Sequence, residues 1–155
     1  MALNHLTAFQ SYHGFDPDRR AIRNFCKKSL AGNVFLYPKA LESADIQSIR
    51  PTKALLLGLL HHVSSAYARD LFPVLNQAES LNCIVTLDPV RIRGNFVNEL
   101  LCRLDRGRYV RSREGYLSLV RESDFDVRHA YVLPSGNGLA SYFCMCLERG
   151  KRGFL

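Results

Sequence analysis

Apolar and polar residues along this chain form blocks of two kinds: short apolar runs bounded by turn residues, and longer segments with apolar positions at helical spacing. Phe9 to Phe15 reads as a short strand. Pro17 or Asp18 then opens a helix with Ile22, Phe25 and Cys26 on one face, and Gly32 ends it. Asn33 to Tyr37 is a second strand-like segment that Pro38 breaks, and a polar stretch from Glu42 to Arg50 leads to Pro51. Ala54 to Leu60 is an unbroken apolar run, the pattern of a central parallel strand buried on both faces. Ser64 or Ser65 caps the next helix, in which Tyr67, Leu71, Val74, Leu75 and Ala78 keep helical spacing, and Cys83 to Leu87 is another buried strand ended by Asp88-Pro89.

This alternation of strand, helix and strand predicts an α/β fold with a mostly parallel sheet and right-handed crossovers. Asn95 to Leu104 reads as an amphipathic helix, and Ser112 starts a further helix through Val120. Two tail strands, Asp126 to Leu133 and Ala140 to Glu148, are joined by the turn from Pro134 to Gly138 and predict an antiparallel C-terminal hairpin. No internal repeat or low-complexity tract interrupts the pattern. A chain of 155 residues that is 47% hydrophobic buries one core, so the expectation is a single domain over residues 1–155.

Charge and cysteine usage narrow the setting. The formal charge of +7 attracts anions. Nine of the 21 lysines and arginines fall between Arg91 and Arg128, but Glu99, Asp105, Glu114, Glu122, Asp124 and Asp126 are interleaved with them, which argues against a dedicated nucleic-acid stripe. The five cysteines are scattered without a CxxC pair; they read as small buried thiols in a reduced, cytoplasmic protein, and no metal site is expected. Ala54 to Leu60, the longest apolar stretch, is too short to span a bilayer, so no membrane partner is expected.

Several residues carry candidate chemistry. The segment Tyr12-His13-Gly14-Phe15-Asp16-Pro17-Asp18 has the form of the second strand of a nucleotide-binding βαβ unit, in which an acid at the strand end takes ribose hydroxyls. Asp16 is that acid, and an ordinary helix cap before Pro17 is the alternative. His61 and His62 close the apolar run at its carboxyl end and could remove a proton from a hydroxyl or amine; structural hydrogen bonding is the competing role. Asp88 either orients substrate or stabilises the turn before Pro89. The arginines between Asp105 and Arg113 suit a phosphate or carboxylate partner, or a salt-bridged surface.

Taken together, Gly14-Phe15-Asp16-Pro17, the run from Leu56 to Val63 (Leu-Leu-Gly-Leu-Leu-His-His-Val), Thr86-Leu87-Asp88-Pro89, and Asp105-Arg106-Gly107-Arg108-Tyr109-Val110-Arg111 with Glu114-Gly115-Tyr116 resemble the class I S-adenosylmethionine-dependent methyltransferases of the small-molecule type. The resemblance runs from that family's second strand to its C-terminus and implies a Rossmann-like fold lacking the first strand and the glycine-rich loop. It implies S-adenosylmethionine as cofactor, with Phe15, Asp16, Leu57, Gly58 and Leu59 as cofactor contacts and His61 and His62 as catalytic candidates. Asp88, Arg106, Arg108, Tyr109, Arg111 and Tyr116 would then face a small-molecule methyl acceptor. Loss of the first strand would open a gap closed by movement of the second strand, by Ala2 to Ala8, or by another copy, giving a homodimer that completes the sheet. Three functions remain open on the sequence: such a methyltransferase, active or impaired; a non-catalytic dimeric binding or assembly module on the same fold; and a basic nucleic-acid-binding protein.

Overall fold

The computed structural model describes residues 9–26, 32–105, 107–121, 123–136 and 138–150. Contacts divide the chain into two compact units, Met1–Ile49 and Arg50–Leu155. In the first unit β1 (Tyr12–Phe15), α1 (Arg19–Cys26), β2 (Val34–Tyr37) and α2 (Ser43–Ile49) follow one another. β1 and β2 pair in parallel, with Tyr12 opposite Val34 and Phe15 opposite Tyr37. Alternate residues share a face, so His13 stacks on Phe35 at 4.9 Å and Phe15 on Tyr37 at 4.7 Å. The strands approach closely at Gly14, where a Cβ would meet Leu36 Cδ2 at 2.8 Å.

Two readings change in this unit. Only Tyr12–Phe15 of the expected Phe9 to Phe15 strand is extended in a ladder, and the polar stretch from Glu42 contains the helix α2, whose single buried side chain is Ile46. Its start is closed by Asp45, which accepts from the Glu42 backbone N–H at 3.1 Å and pairs with Lys39 at 2.9 Å. Glutamate at the cap position is an unusual helix-start signal, and one buried residue leaves little periodicity to read. Gly32 lies in the turn before β2, while residues 27–31 that lead to it and the segment Ala2 to Ala8 are outside those described.

The second unit contains β3 (Lys53–Leu57), α3 (Ser65–Asn76), β4 (Cys83–Pro89), α4 (Phe96–Leu104), α5 (Arg113–Val120), β5 (Phe125–Pro134) and β6 (Ser141–Arg149). Its sheet has the order β3-β4-β6-β5; β3 and β4 are parallel, while β6 runs antiparallel to both β4 and β5. The C-terminal hairpin stands as read, with a register shift between Val127 and His129. Ile84, Phe143, Met145 and Leu147 form the buried face of the sheet, and Phe72, Leu75, Leu119 and Val120 supply the core from α3 and α5, which touch each other.

Burial corrects the reading of the parallel strands. Along β4 burial alternates, Ile84, Thr86 and Asp88 being buried and Cys83, Val85 and Leu87 half-buried, so one face alone is fully covered. In β3 only Leu56 is buried, and Leu57 is 42% exposed. The strand also stops earlier than its apolar run, because Gly58 takes φ +66° and turns the chain, leaving Leu59 and Leu60 in the loop beyond. α4 is amphipathic in an inverted sense: Asn98 and Cys102 are buried, while Phe96, Val97, Leu100 and Leu104 face outward. Asn98 explains this, since its Oδ1 accepts from Ile92 N–H at 2.7 Å and its Nδ2 donates to Val90 O at 3.1 Å.

Candidate functional site

The turn after β3 and the carboxyl end of β4 lie side by side. Gly58 N–H donates to Leu87 O at 2.8 Å, and His62 N–H donates to Leu59 O at 3.0 Å, so the chain folds back tightly and brings His61 over Asp88. Both residues are buried, His61 at 6% and Asp88 at 1% exposure. Asp88 Oδ1 accepts twice from His61, from its backbone N–H at 3.1 Å and from Nδ1 at 2.8 Å. An ionised carboxylate only accepts, so this contact assigns the Nδ1 proton. The other ring nitrogen, Nε2, faces Asp105 Oδ1 at 3.5 Å. Asp88 Oδ2 is buried without a hydrogen-bond partner among the described residues.

Asp105 was not among the candidate site residues, although Asp-x-Gly is an Asx-turn signal that marks a carboxylate bent back onto its own backbone. Its Oδ1 accepts from Gly107 N–H at 2.6 Å. The segment from Asp105 to Arg111 lies directly on His61. Gly107 is in contact with the imidazole, where a Cβ would fall 2.0 Å from His61 Cδ2, and Tyr109 N–H donates to His61 O at 3.0 Å.

Arg111 fastens this segment from the other side. Its guanidinium donates to Leu60 O, to Tyr109 O at 2.9 Å, to Val63 O at 2.9 Å and to Ser65 Oγ at 3.2 Å. It also lies over the rings of Tyr109 and Tyr116, at 5.7 and 5.8 Å. The fixed fork of Arg is what allows one side chain to hold carbonyls on both segments. Tyr116 is buried and donates from its hydroxyl to Pro89 O at 2.8 Å; burial raises its phenol above the ordinary 10.0.

The sequence candidates therefore separate by circumstance. His61 and Asp88 are brought together, and His61 has both ring nitrogens directed at carboxylates. His62 is exposed, its ring 4.0 Å from that of His61. Leu57, Gly58 and Leu59 line the turn before them, Tyr109 is 41% exposed, and Arg108 is exposed. Arg111 and Tyr116 direct their polar atoms at backbone groups of the protein. Arg106 lies outside the described residues.

In the first unit Phe15 stacks on Tyr37, and Asp16 sits at the end of β1. The Asp16 N–H donates to Tyr37 O at 3.1 Å, and its Oδ1 accepts from Asp18 N–H at 2.8 Å. The start of α1 is served instead by Asp18, whose Oδ1 accepts from Arg20 N–H at 2.8 Å.

Solved structures share this architecture. The chain superimposes on magnesium protoporphyrin IX methyltransferase (ChlM) from Synechocystis PCC 6803, solved with bound SAH, at TM-score 0.65 and 11% identity, covering 90% of this chain and 64% of that one. On the methyltransferase domain of bacterial CtHen1-C it gives TM-score 0.66 and 12% identity, covering 96% and 82%. LepI, solved with SAH and a substrate analogue, gives TM-score 0.64 and 9% identity, covering 96% of this chain but only 38% of LepI. The chain thus spans less than two thirds of ChlM and LepI. No protein-family model and no curated protein matches it. The protein has the fold of class I S-adenosylmethionine-dependent methyltransferases.

Proposed function

We propose that the protein transfers a methyl group from S-adenosylmethionine to a hydroxyl or amine of a small molecule. The observation that carries this reading is the convergence of Gly58, His61, His62 and Asp88 at the carboxyl ends of the parallel strands β3 and β4. Ligands of open α/β sheets bind at such strand ends. The residues present fit the cofactor's chemistry. In the second unit the turn Leu57-Gly58-Leu59 offers apolar side chains and a backbone with little Cβ crowding, His61 Cε1 lying 3.5 Å from the Gly58 Cβ position. In the first unit, taken by itself, Phe15 and Asp16 end β1 with a ring and a carboxylate of the kind that takes ribose hydroxyls. S-adenosylmethionine, when bound, supplies an activated methyl on a sulfonium.

The remaining work is positioning and proton removal. His61 is held by Asp88 and Asp105 and acts as a positioning residue for the turn. His62, exposed beside His61, takes the proton of the acceptor hydroxyl or amine. Arg108 and Tyr109, with Arg106, meet the acceptor, while Arg111 and Tyr116 keep their segment in place. The fold alone leaves the reaction open, since its neighbours include an enzyme described as a pericyclic reaction enzyme. A homodimer belongs to the same proposal. β3 pairs only with β4 among the described residues, and a strand of a second copy would satisfy its other edge. A cytoplasmic location rests on the cysteine usage alone.

The test is label transfer from methyl-labelled S-adenosylmethionine to a panel of small hydroxyl and amine compounds. The wild-type protein is expected to label an acceptor, and His62→Ala to label it roughly 10²–10⁴-fold more slowly. Transfer at the wild-type rate by His62→Ala would remove His62 from the role of base.

A further inference from the structure

Helix α4 carries an exposed apolar stripe. At about 100° per residue, Phe96, Val97, Leu100 and Leu104 fall within one arc of ~100°. Their exposures are 86%, 51%, 56% and 70%. The opposite side of the helix is anchored by Asn98 and Cys102, so rotation of α4 cannot hide the stripe without breaking the Asn98 bonds to Ile92 and Val90.

Its surroundings are mainly basic, the helix's own acid being Glu99 on its first turn. Arg91 and Arg93 lie just before the helix and Arg103 lies on its last turn; all are exposed, and no carboxylate pairs with any of them among the described residues. The nearest acid after the helix, Asp105, turns inward to Gly107 and His61 and does not face these guanidiniums.

We propose that α4 is a peripheral docking element for an anionic lipid surface. It lies flat in the headgroup region with Phe96, Val97, Leu100 and Leu104 immersed and the flanking arginines on lipid phosphates. An apolar face bordered by cations is what interfacial helices present. The chemistry also disfavours a second copy on this face: a two-fold contact would set the same three arginines against themselves, whereas anionic headgroups neutralise them. No helix among the described residues is long and apolar enough to cross a membrane, so the mode is docking. This inference does not depend on methyl transfer.

Co-sedimentation with vesicles tests it. The full chain is expected to sediment with phosphatidylcholine vesicles containing phosphatidylglycerol, and much less with phosphatidylcholine alone. Leu100→Asp is expected to weaken binding roughly tenfold or more by removing one immersed side chain. Arg93→Ala is expected to weaken it about fivefold, the share of one cation at an anionic surface. Both positions are solvent-facing, so both variants keep the wild-type melting temperature. Wild-type protein left in the supernatant with anionic vesicles would overturn the proposal, as would undiminished binding by Leu100→Asp. A dimer by light scattering that Leu100→Asp dissolves would assign the stripe to a second copy instead.

Discussion

Replacing Gly107 by alanine tests whether the segment from Asp105 to Arg111 is packed on His61. The added Cβ would stand 2.0 Å from His61 Cδ2, 2.7 Å from His61 O and 2.8 Å from Asp105 Oδ1. To reach an ordinary contact of about 3.5–4.0 Å, the segment or the imidazole must give way by about 1.5–2 Å. Such a retreat lengthens the 3.0 Å bond from Tyr109 N–H to His61 O and pulls Asp105 from His61. Overpacking of this kind costs about 1–3 kcal/mol, and a lost hydrogen bond adds about 0.5–1.5 kcal/mol. For a unit of this size, a loss in the middle of that range lowers the melting temperature by roughly 10–20 °C. Gly136→Ala is the control, because nothing lies within 4 Å of its Cβ position. Thermal unfolding by circular dichroism reads the difference, and the His61 ring cross-peak in an NMR spectrum should shift only in Gly107→Ala. If the two variants melt together with the wild type, the contact between this segment and His61 is wrong.

Arg111→Lys keeps the charge but loses the fork that reaches Leu60, Val63, Tyr109 and Ser65, and should destabilise the protein by about 1–3 kcal/mol in urea unfolding; wild-type stability would show that the charge alone matters. Tyr116→Phe removes the bond to Pro89 O, at a cost of about 1 kcal/mol at neutral pH. The same tyrosine makes stability depend on alkaline pH. Burial raises its phenol above 10.0 in the folded chain, so its contribution is complete below pH 10.0 and is lost as pH rises further, when the unfolded chain ionises first. Tyr116→Phe should therefore lose stability less steeply than the wild type above that pH, and equal slopes would refute the assignment.

Apart from α2, the order of elements was legible in the sequence because each depends on local signals. Ser64, Asn95 and Ser112 cap α3, α4 and α5 with the expected side-chain bonds, and the hairpin follows its turn residues. What escaped depends on tertiary context. An apolar run from Ala54 to Leu60 does not disclose that Gly58 turns at positive φ, or that one face of β3 and β4 is only partly covered. The same limit applies to the site. His61, His62 and Asp88 could be picked as chemistry-bearing residues, but the division between a buried histidine held by carboxylates and an exposed one is set partly by a segment more than forty positions away. The apolar positions of α4 were visible, while their outward direction was decided by the buried amide of Asn98.

Calorimetric titration with S-adenosylhomocysteine tests the central proposal most directly, because binding of the cofactor product requires no knowledge of the acceptor. The account predicts saturable heat corresponding to one site per chain. Absence of heat at millimolar ligand, with the protein folded, would contradict it.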